Sequence, residues 1–433
     1  MREFARVMDS AQHCHCKTAN RRHGYGMRLQ WHLACLLLLT QEIQAATPVL
    51  PGTRPLTAKQ PIDVLIVDGL RRFCLRELDA VPAQRGRFWK RDFTSSKVYA
   101  KSIESNRARF REISGVVDDR LTALAGKGPE FKEILRLGTL TTLNDSNEVT
   151  IHAVRWPVLE GLFAEGLLLK PKHIRAAVVA LPDADWSPEQ FVGLLDMKDQ
   201  SKLPIRLAAR GCMVAVPMLI SRSDRFSGNP AVRFTNQPHR EYIYRQAFEM
   251  GRHVIGYEVQ KALAAVDLFA RIRSSRKAPL PIGIVGVGEG GLLAFYASAL
   301  DERIDATLVS GYFQKREGIW NEPIYRNVWG LLTEFGDAEI AGMIAPRRLV
   351  IEACRVPMVQ GPTQPRPGRA GGAPGRIEPI ALDAVRTEFG KAKVFYRKLG
   401  KADELVLAIS GDGQGALGSV KAVESFAATL GII

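Results

Sequence analysis

The residues of this sequence best placed to do chemistry are five carboxylates. Glu289 lies in the glycine-rich stretch 286–291, of sequence GVGEGG, and further carboxylates are expected near the same edge of a sheet, namely Asp183, Asp185, Glu352 and Asp412. If these groups converge, their mutual repulsion raises the pKa of some of them, and an acid–base pair or a divalent metal site becomes possible. The alternative is that Glu289 braces its turn through hydrogen bonds or an arginine pair. We favour this alternative and expect no metal ion.

The residues around Glu289 predict a strand, a very tight turn and a helix. Residues 282–285 are a short apolar run typical of a buried strand, and Leu292 and Leu293 open an apolar helix. The turn requires glycine because its backbone must visit positive φ and the helix must approach the strand closely. The same glycines spell G-x-G-x-x-G, a weak signal of a dinucleotide site. The next strand ends in 309–311, of sequence VSG, without the acidic residue that such a site requires, so no cofactor is expected.

Alternating apolar strands and helices predict an α/β fold, with a mainly parallel central sheet and helices on both faces. The apolar runs predicted as strands in the second half of the fold are 174–181, 212–220, 282–285, 304–309, 348–353 and 404–409. Ser187 with Gln190 predicts a helix start, and one long helix is predicted over 241–273. Ligands of such sheets bind beyond the carboxyl ends of the strands, which is where the carboxylates are expected.

The sequence pattern divides the chain into segments. They are an upstream extension with a signal peptide (1–46), a linker (47–60), a helical N-terminal extension (61–130) and the α/β domain (131–433). Within the last segment, residues 357–379 are rich in Pro, Gly and Arg and lack an apolar period. They are therefore predicted to form a long loop or lid.

The signal peptide is expected to start at Met27. A positive charge, a short apolar core at 33–39 and small residues at 45–46 follow this methionine, which is the order of a secretory signal. The protein is then exported, to the periplasm or the medium. The tract HCHC at 13–16 could bind a metal, but an upstream extension from a wrongly chosen start codon is the interpretation that we favour.

Charge and hydropathy exclude several classes of partner. The formal net charge is +15, but Lys and Arg are spread along the chain without a long basic run. This distribution favours general solubility, and no nucleic-acid partner is expected. No apolar run is long enough to span a membrane. The six cysteines are widely spaced and three precede residue 36, which does not suit a disulfide framework.

Several segments together resemble the α/β hydrolases, within them the dienelactone hydrolase and acetyl xylan esterase-like branch. They are the turn 286–291, the helix 250–267 before it, residues 338–347 before the strand at 348, and the stretch 410–415, SGDGQG, after the last strand. The resemblance covers about residues 130–433. It implies the α/β-hydrolase fold and, by family, hydrolysis of carboxylic esters such as acetylated polysaccharide.

The family's catalytic residues do not carry over to this chain. Such enzymes use a serine or cysteine in the turn, an acid after the strand at 348–353 and a histidine after the last strand. The matching positions here are Gly288, the vicinity of Arg355, and Gln414, and no histidine follows His253. The sequence therefore predicts a hydrolase-like protein with a degenerate site. It either binds a small-molecule or carbohydrate ester ligand without catalysis, or is a hydrolase built around Glu289.

Overall fold

The computed structural model describes most of the chain, namely residues 51–54, 57–123, 130–141, 148–195, 202–226, 235–365, 367 and 370–432. The chain divides into two compact units, Met1–Asp68 and Gly69–Ile433. The predicted signal peptide, its start at Met27 and the HCHC tract lie outside the described residues. All of the site residues considered below belong to the second unit.

Helices precede the sheet, as expected for a helical N-terminal extension. They are α1 (Ile62–Gln84), α2 (Ser96–Ser102) and α3 (Glu104–Ile113). The hydroxyl of Ser95 accepts the main-chain N–H of Val98 and caps the start of α2. Aromatic contacts attach the end of this region to the main domain: the ring of Phe110 meets the ring of Tyr296 edge-on, with centroids 4.8 Å apart.

The domain is built on a mixed sheet. The strands in chain order are β1 (Lys132–Thr141), β2 (Glu148–Leu159), β3 (Leu162–Pro171), β4 (Ala176–Leu181), β5 (Cys212–Pro217), β6 (Thr235–Asn236), β7 (Ile282–Val287), β8 (Ala306–Ser310), β9 (Arg348–Ala353), β10 (Ala370–Gly371) and β11 (Leu405–Ile409). Nine of them form one sheet, in the order β1-β2-β3-β5-β4-β7-β8-β9-β11, and β6 pairs with β10 separately. Strand β1 pairs with β2, β2 with β3, and β3 with β5, all antiparallel, and the remaining pairs of the large sheet are parallel.

Helices cover both faces of the sheet, as predicted. They are α4 (Pro188–Val192), α5 (Leu203–Ala209), α6 (His239–Phe248), α7 (Val254–Ser274), α8 (Glu289–Leu300), α9 (Leu331–Glu334), α10 (Asp337–Ile344), α11 (Leu382–Lys398) and α12 (Val420–Thr429). Side chains alternate along each strand, so Val179 of β4 joins a core with α7, α8 and α10, whereas Val178 joins a second core with α5 and α12. Helix α4 begins with the predicted capping box of Ser187 and Gln190.

The prediction of one helix over 241–273 is wrong. The chain leaves α6 at Phe248, passes through Gly251 with φ of +65°, and starts α7 at Val254. The imidazole Nδ1 of His253 accepts the N–H of Ile255 at 3.0 Å and so caps the new helix. Burial lowers the pKa of His253 to about 4, which keeps this ring neutral and able to accept.

The predicted long loop at 357–379 falls largely within the described residues and carries little regular structure. Val359 and Ile377 exchange two main-chain hydrogen bonds, of 3.1 and 2.9 Å, which hold the two ends of the loop together. In the described part of the chain, no helix has the length and apolar character needed to cross a membrane.

Candidate functional site

A single residue, Gly288, separates strand β7 from helix α8. Its φ of +55° and ψ of −113° lie where residues with a Cβ are rarely found, so the tight turn predicted from the sequence is present with its strained backbone. The next turn of the helix also requires glycine, because a Cβ on Gly290 would overlap the carbonyl oxygens of Leu181 and Pro182. The turn therefore brings the N-terminus of α8 directly against the end of β4.

The carboxylate of Asp183 fills the space above this turn. Asp183 lies two residues after β4 and is buried. Its Oδ2 accepts the main-chain N–H of Glu289 at 3.0 Å, and a Cβ built on Gly288 would lie 2.5 Å from the same oxygen. Since the N-terminus of a helix attracts negative charge, the turn holds an anion supplied by the protein itself.

Glu289 is fully buried and is surrounded by three guanidinium groups. Its Oε1 accepts from Arg240 Nη2 at 2.9 Å, and its Oε2 accepts from Arg222 Nη2 at 3.0 Å and Arg326 Nε at 2.9 Å. Burial alone would raise the pKa of Glu289, but the charges of Arg240, Arg326 and Arg222 outweigh it and hold that pKa well below its usual range. The interpretation that Glu289 braces the turn through arginine is confirmed. The disfavoured alternative, an acid–base pair with a raised pKa, is contradicted at Glu289, whose pKa is lowered.

Arg222 connects the carboxylates at this edge of the sheet. Its Nη1 donates to Asp183 Oδ1 at 2.6 Å and to Asp185 Oδ2 at 3.0 Å, while its Nε donates to the hydroxyl of Tyr325 at 3.0 Å. Asp185 Oδ1 in turn accepts the main-chain N–H of Arg222. Asp183, Asp185 and Glu289 thus do come together, but Arg222 lies between them and offsets the repulsion between their negative charges.

The network extends outward from Glu289 through the other two arginines. Arg240 Nη1 donates to Glu258 on α7 at 2.6 Å, and Arg326 Nη1 donates to Glu322 at 2.9 Å. Arg240, Glu258 and Arg326 are buried, and the side chain of Glu322 is 12% exposed. A buried charge destabilises a protein unless it is paired with an opposite charge, so the pairs in this network need both partners. The arginines were not identified from the sequence. The only signal for them is that a buried Glu289 needs a cation, and that requirement does not say which arginine supplies it.

The other carboxylates predicted for the site lie elsewhere. Glu352 is buried in β9 and accepts hydrogen bonds from the hydroxyl of Ser310 at 2.6 Å and from the N–H groups of Gly418 and Ser419 at 3.0 and 2.7 Å. It therefore anchors the segment that leads into α12. Asp412 is exposed, with φ of +52°. The sequence left open whether Glu352 and Asp412 converge with Glu289, and the hydrogen bonds of Glu352 give that carboxylate a separate environment.

Gln414, the residue at the family's histidine position, is exposed on the surface. Its side-chain amide donates to the carbonyl oxygen of Ile380 at 3.4 Å. The described histidines nearer the turn have structural partners: His253 caps α7 and donates from Nε2 to the carbonyl of Asn327 at 3.1 Å, and His239 accepts the N–H of Phe226 at 3.0 Å. Both ring nitrogens of each of these two histidines therefore have partners within the protein.

A cavity of about 250 Å³ opens beside Asp185 and Arg222. Its other walls include Glu241, Tyr325 and the loop residues 358–363. The side chain of Asp185 is 45% exposed, whereas those of Asp183 and Glu289 are 2% and 0% exposed. Asp185 is therefore the carboxylate of this cluster that a bound molecule can reach. Among the described residues, no group of three or more His, Cys, Asp and Glu side chains is arranged to hold a metal ion.

Comparison with known proteins supports the fold. No family model matches the sequence, and no curated protein matches it. A Bacteroides fragilis structure assigned as an acetyl xylan esterase superposes with a TM-score of 0.52 at 14% identity, over 84% of each chain. Glucuronoyl esterases from Solibacter usitatus and Teredinibacter turnerae give TM-scores of 0.48 and 0.49 at 12% and 13% identity, over 78% of this chain and 94% and 87% of theirs. The first likeness shows a shared fold, the α/β-hydrolase fold.

Proposed function

We propose that this α/β-hydrolase-fold protein binds a small uncharged ligand, a carbohydrate or its ester, beside Asp185 and does not hydrolyse esters through a serine triad. One contact supports the proposal most directly: the Asp183 carboxylate accepts the N–H of Glu289. In α/β hydrolases the N–H of the residue after the nucleophile helps to stabilise the oxyanion of the reaction. Here that donor already serves a carboxylate of the protein.

The residues around the turn also lack the other parts of acyl transfer. Gly288 supplies no nucleophile, and Gln414 at the histidine position has an amide that cannot take up a proton. A hydroxyl is a poor nucleophile until an imidazole accepts its proton, so loss of these groups removes most of the rate. The degenerate triad inferred from the sequence is thus supported by a local arrangement that fills the vacated space.

The alternative of a hydrolase built on Glu289 is disfavoured by the surroundings of that carboxylate. A general base needs a pKa near the working pH and must reach its substrate. Arg222, Arg240 and Arg326 occupy both oxygens of Glu289 and lower its pKa, and the side chain has no exposed surface. Such a carboxylate stabilises charge within the protein and is enclosed, so a substrate does not reach it from the surface.

The class of ligand follows from the walls of the cavity. Asp185 and Glu241 bring two negative charges and Arg222 one positive charge, which opposes anions. Glu241 is already engaged, because its Oε2 accepts the N–H of Ala373 at 2.8 Å and its Oε1 accepts from Arg245. The accessible carboxylate oxygens of Asp185 suit the hydroxyl groups of a sugar. A volume of about 250 Å³ restricts the bound part to a small molecule or a chain end.

The test combines calorimetry with a turnover assay. Xylotriose and acetylated xylotriose are titrated into the purified protein, and hydrolysis of p-nitrophenyl acetate is followed over many equivalents. We expect binding of at least one oligosaccharide, binding weakened about ten-fold in Asp185→Ala, and no sustained turnover. Asp383→Ala, which removes an exposed aspartate on α11, is the matched control and should bind as the parent does. Sustained turnover, or binding unaffected by Asp185→Ala, would refute the proposal.

A further inference from the structure

A second, larger cavity lies away from the turn. Its volume is about 670 Å³, and part of its wall is aliphatic, formed by Leu159, Leu162, Ile220 and Ile243. Lys261 of helix α7 lines this cavity, and it also lines a neighbouring cavity of about 370 Å³. Ile220 is shared by the two cavities as well. Lys261 therefore stands between two spaces that the function proposed above does not use.

The amine of Lys261 lacks a counter-ion in the part of the chain that the structure describes: no hydrogen bond or ion pair joins it to another described residue. The carboxylate one turn earlier on α7, Glu258, is already taken. Its Oε1 accepts the N–H of Ile220 at 2.6 Å, and its Oε2 accepts from Arg240 at 2.6 Å. Burial of a lysine amine without a directly bonded carboxylate disfavours its ammonium form.

Burial sets the direction in which the pKa of Lys261 shifts, and the two nearest charges oppose each other. Burial lowers the pKa of Lys261, and the nearby guanidinium of Arg240 lowers it further, while Glu258 opposes the shift. A lysine that is desolvated or placed beside another cation is the usual source of an uncharged, nucleophilic amine near neutral pH. Lys261 is only partly buried as a residue, so this amine is not sealed in the core.

The geometry points to Lys261 as the nucleophile of a second site, which captures an uncharged aldehyde with an apolar tail as an imine. The free amine adds to the carbonyl carbon and forms the carbon–nitrogen bond. A proton passes from the nitrogen to the former carbonyl oxygen, which gives a carbinolamine. The carbinolamine then loses its hydroxyl group and the remaining N–H proton as water, and the carbon–nitrogen double bond forms. The reaction needs no oxidant or reductant, and hydrolysis of the imine returns the lysine.

The cavity's composition defines the aldehyde. The leucine and isoleucine side chains favour an alkyl or aryl tail, since burying apolar surface stabilises the complex. Asp118, Asp119 and Glu160 also line the cavity, and Arg252 is occupied by Asp118 through contacts of 2.5 to 3.0 Å. This surplus of negative charge opposes aldehydes that carry a carboxylate. The expected ligand is therefore neutral and apolar.

Reductive trapping tests the proposal. The full-length protein is incubated at pH 7 with hexanal and sodium cyanoborohydride, which converts an imine into a stable hexyl amine, and modified lysines are located by peptide mass spectrometry. We expect Lys261 to be labelled several-fold faster than the exposed Lys421 of α12, because a lowered pKa raises the fraction of a lysine that is present as the free amine. With glyoxylate, a small anionic aldehyde, Lys261 should no longer be labelled faster than Lys421.

The variants separate a specific site from general lysine chemistry. Lys261→Arg keeps the positive charge but cannot form an imine, and it should abolish the fast labelling; Lys421→Arg should leave it unchanged. If Lys261→Arg fails to fold, the comparison between Lys261 and Lys421 within the parent still decides. Labelling of Lys261 at the rate of Lys421, or equal preference for hexanal and glyoxylate, would overturn the proposal. Ester turnover plays no part in these measurements, so the outcome is independent of the function proposed above.

Discussion

Asp183 Oδ2 lies 3.0 Å from the main-chain nitrogen of Glu289 and 2.5 Å from the position that a Cβ on Gly288 would take. One carboxylate oxygen thus binds the N-terminus of α8 and excludes a side chain from the apex of the turn. A nucleophilic side chain at position 288 and the Asp183 carboxylate in its present position therefore exclude each other. Residues 183 and 288 should respond to mutation as a coupled pair.

Gly288→Ser is expected to destabilise the protein without restoring esterase activity. The new Cβ meets Asp183 and must adopt a strained backbone conformation, a combination that costs about 1–3 kcal/mol. In an Asp183→Ala background, Gly288→Ser should lower the free energy of unfolding by a smaller amount. Chemical denaturation of the parent, both single variants and the double variant gives the coupling energy. Additive effects of the two substitutions would contradict the contact between them.

Glu289→Gln should be strongly destabilising, because it leaves three buried guanidinium groups without their shared counter-charge. Breaking a buried ion pair by removing one partner typically costs about 3–5 kcal/mol. Glu302→Gln is the control, since the side chain of Glu302 is 55% exposed and its pair with Arg107 should contribute little to stability. The pKa of Glu289 is lowered by folding, so its contribution is fully present above pH 4.5 and is lost on acidification below that value. A Glu289→Gln variant with parental stability at pH 7 would refute the network's importance.

Asp337 should make stability depend on pH in the opposite direction. Burial raises the pKa of this carboxyl group from 3.8 to about 8, so between these values the folded protein binds a proton that the unfolded chain has lost. Stability contributed by the group therefore decreases as pH rises, by at most about 1.4 kcal/mol per unit. Unfolding free energies measured from pH 5 to 8 should decrease less in Asp337→Asn than in the parent. Asp383 is an exposed aspartate that also lies in the first turn of a helix. Asp383→Asn should therefore leave the slope of the unfolding free energy against pH as it is in the parent.

The strands and the glycine turn could be predicted from the sequence because their signals are local. The capping box at Ser187 was found for the same reason. The break between α6 and α7 was missed because apolar side chains continue on both sides of Gly251, so that their spacing still resembles one helix. Periodicity reports which face of an element is buried, and it does not report a change in the direction of the chain.

The partners of Glu289 could not be predicted, because they are distant in the sequence. Arg222 and Arg240 precede it by 67 and 49 residues, and Arg326 follows it by 37. Each comes from a loop or a helix whose path depends on the whole fold. Composition offers many other arginines, and nothing in the local pattern distinguishes these three.

Glu352 illustrates a further limit. It was placed near Glu289 because its strand ends at the right edge of the sheet. Side chains alternate along a strand, however, and Glu352 shares the face of Val350, which packs in the core that contains Phe426 of α12. The carboxylate accordingly reaches the N–H groups of the residues just before that helix. We therefore expect Glu352 to hold the start of α12 in place and to have no part in ligand binding, and an experiment can separate the two roles.

Glu352→Gln should weaken the attachment of α12 and leave the ligand cavity unchanged. A glutamine retains one acceptor oxygen in place of two, so at least one of the donors on Ser310, Gly418 and Ser419 loses its bond, at a cost of about 1–3 kcal/mol. Hydrogen exchange of the Gly418 and Ser419 amides should accelerate, whereas that of the Glu289 amide should stay as in the parent. Glu424→Gln, an exposed glutamate on α12, provides the matched control. Faster exchange at Glu289, or loss of oligosaccharide binding in Glu352→Gln, would instead place Glu352 in the functional site, because a purely structural anchor at α12 has no contact through which to change either.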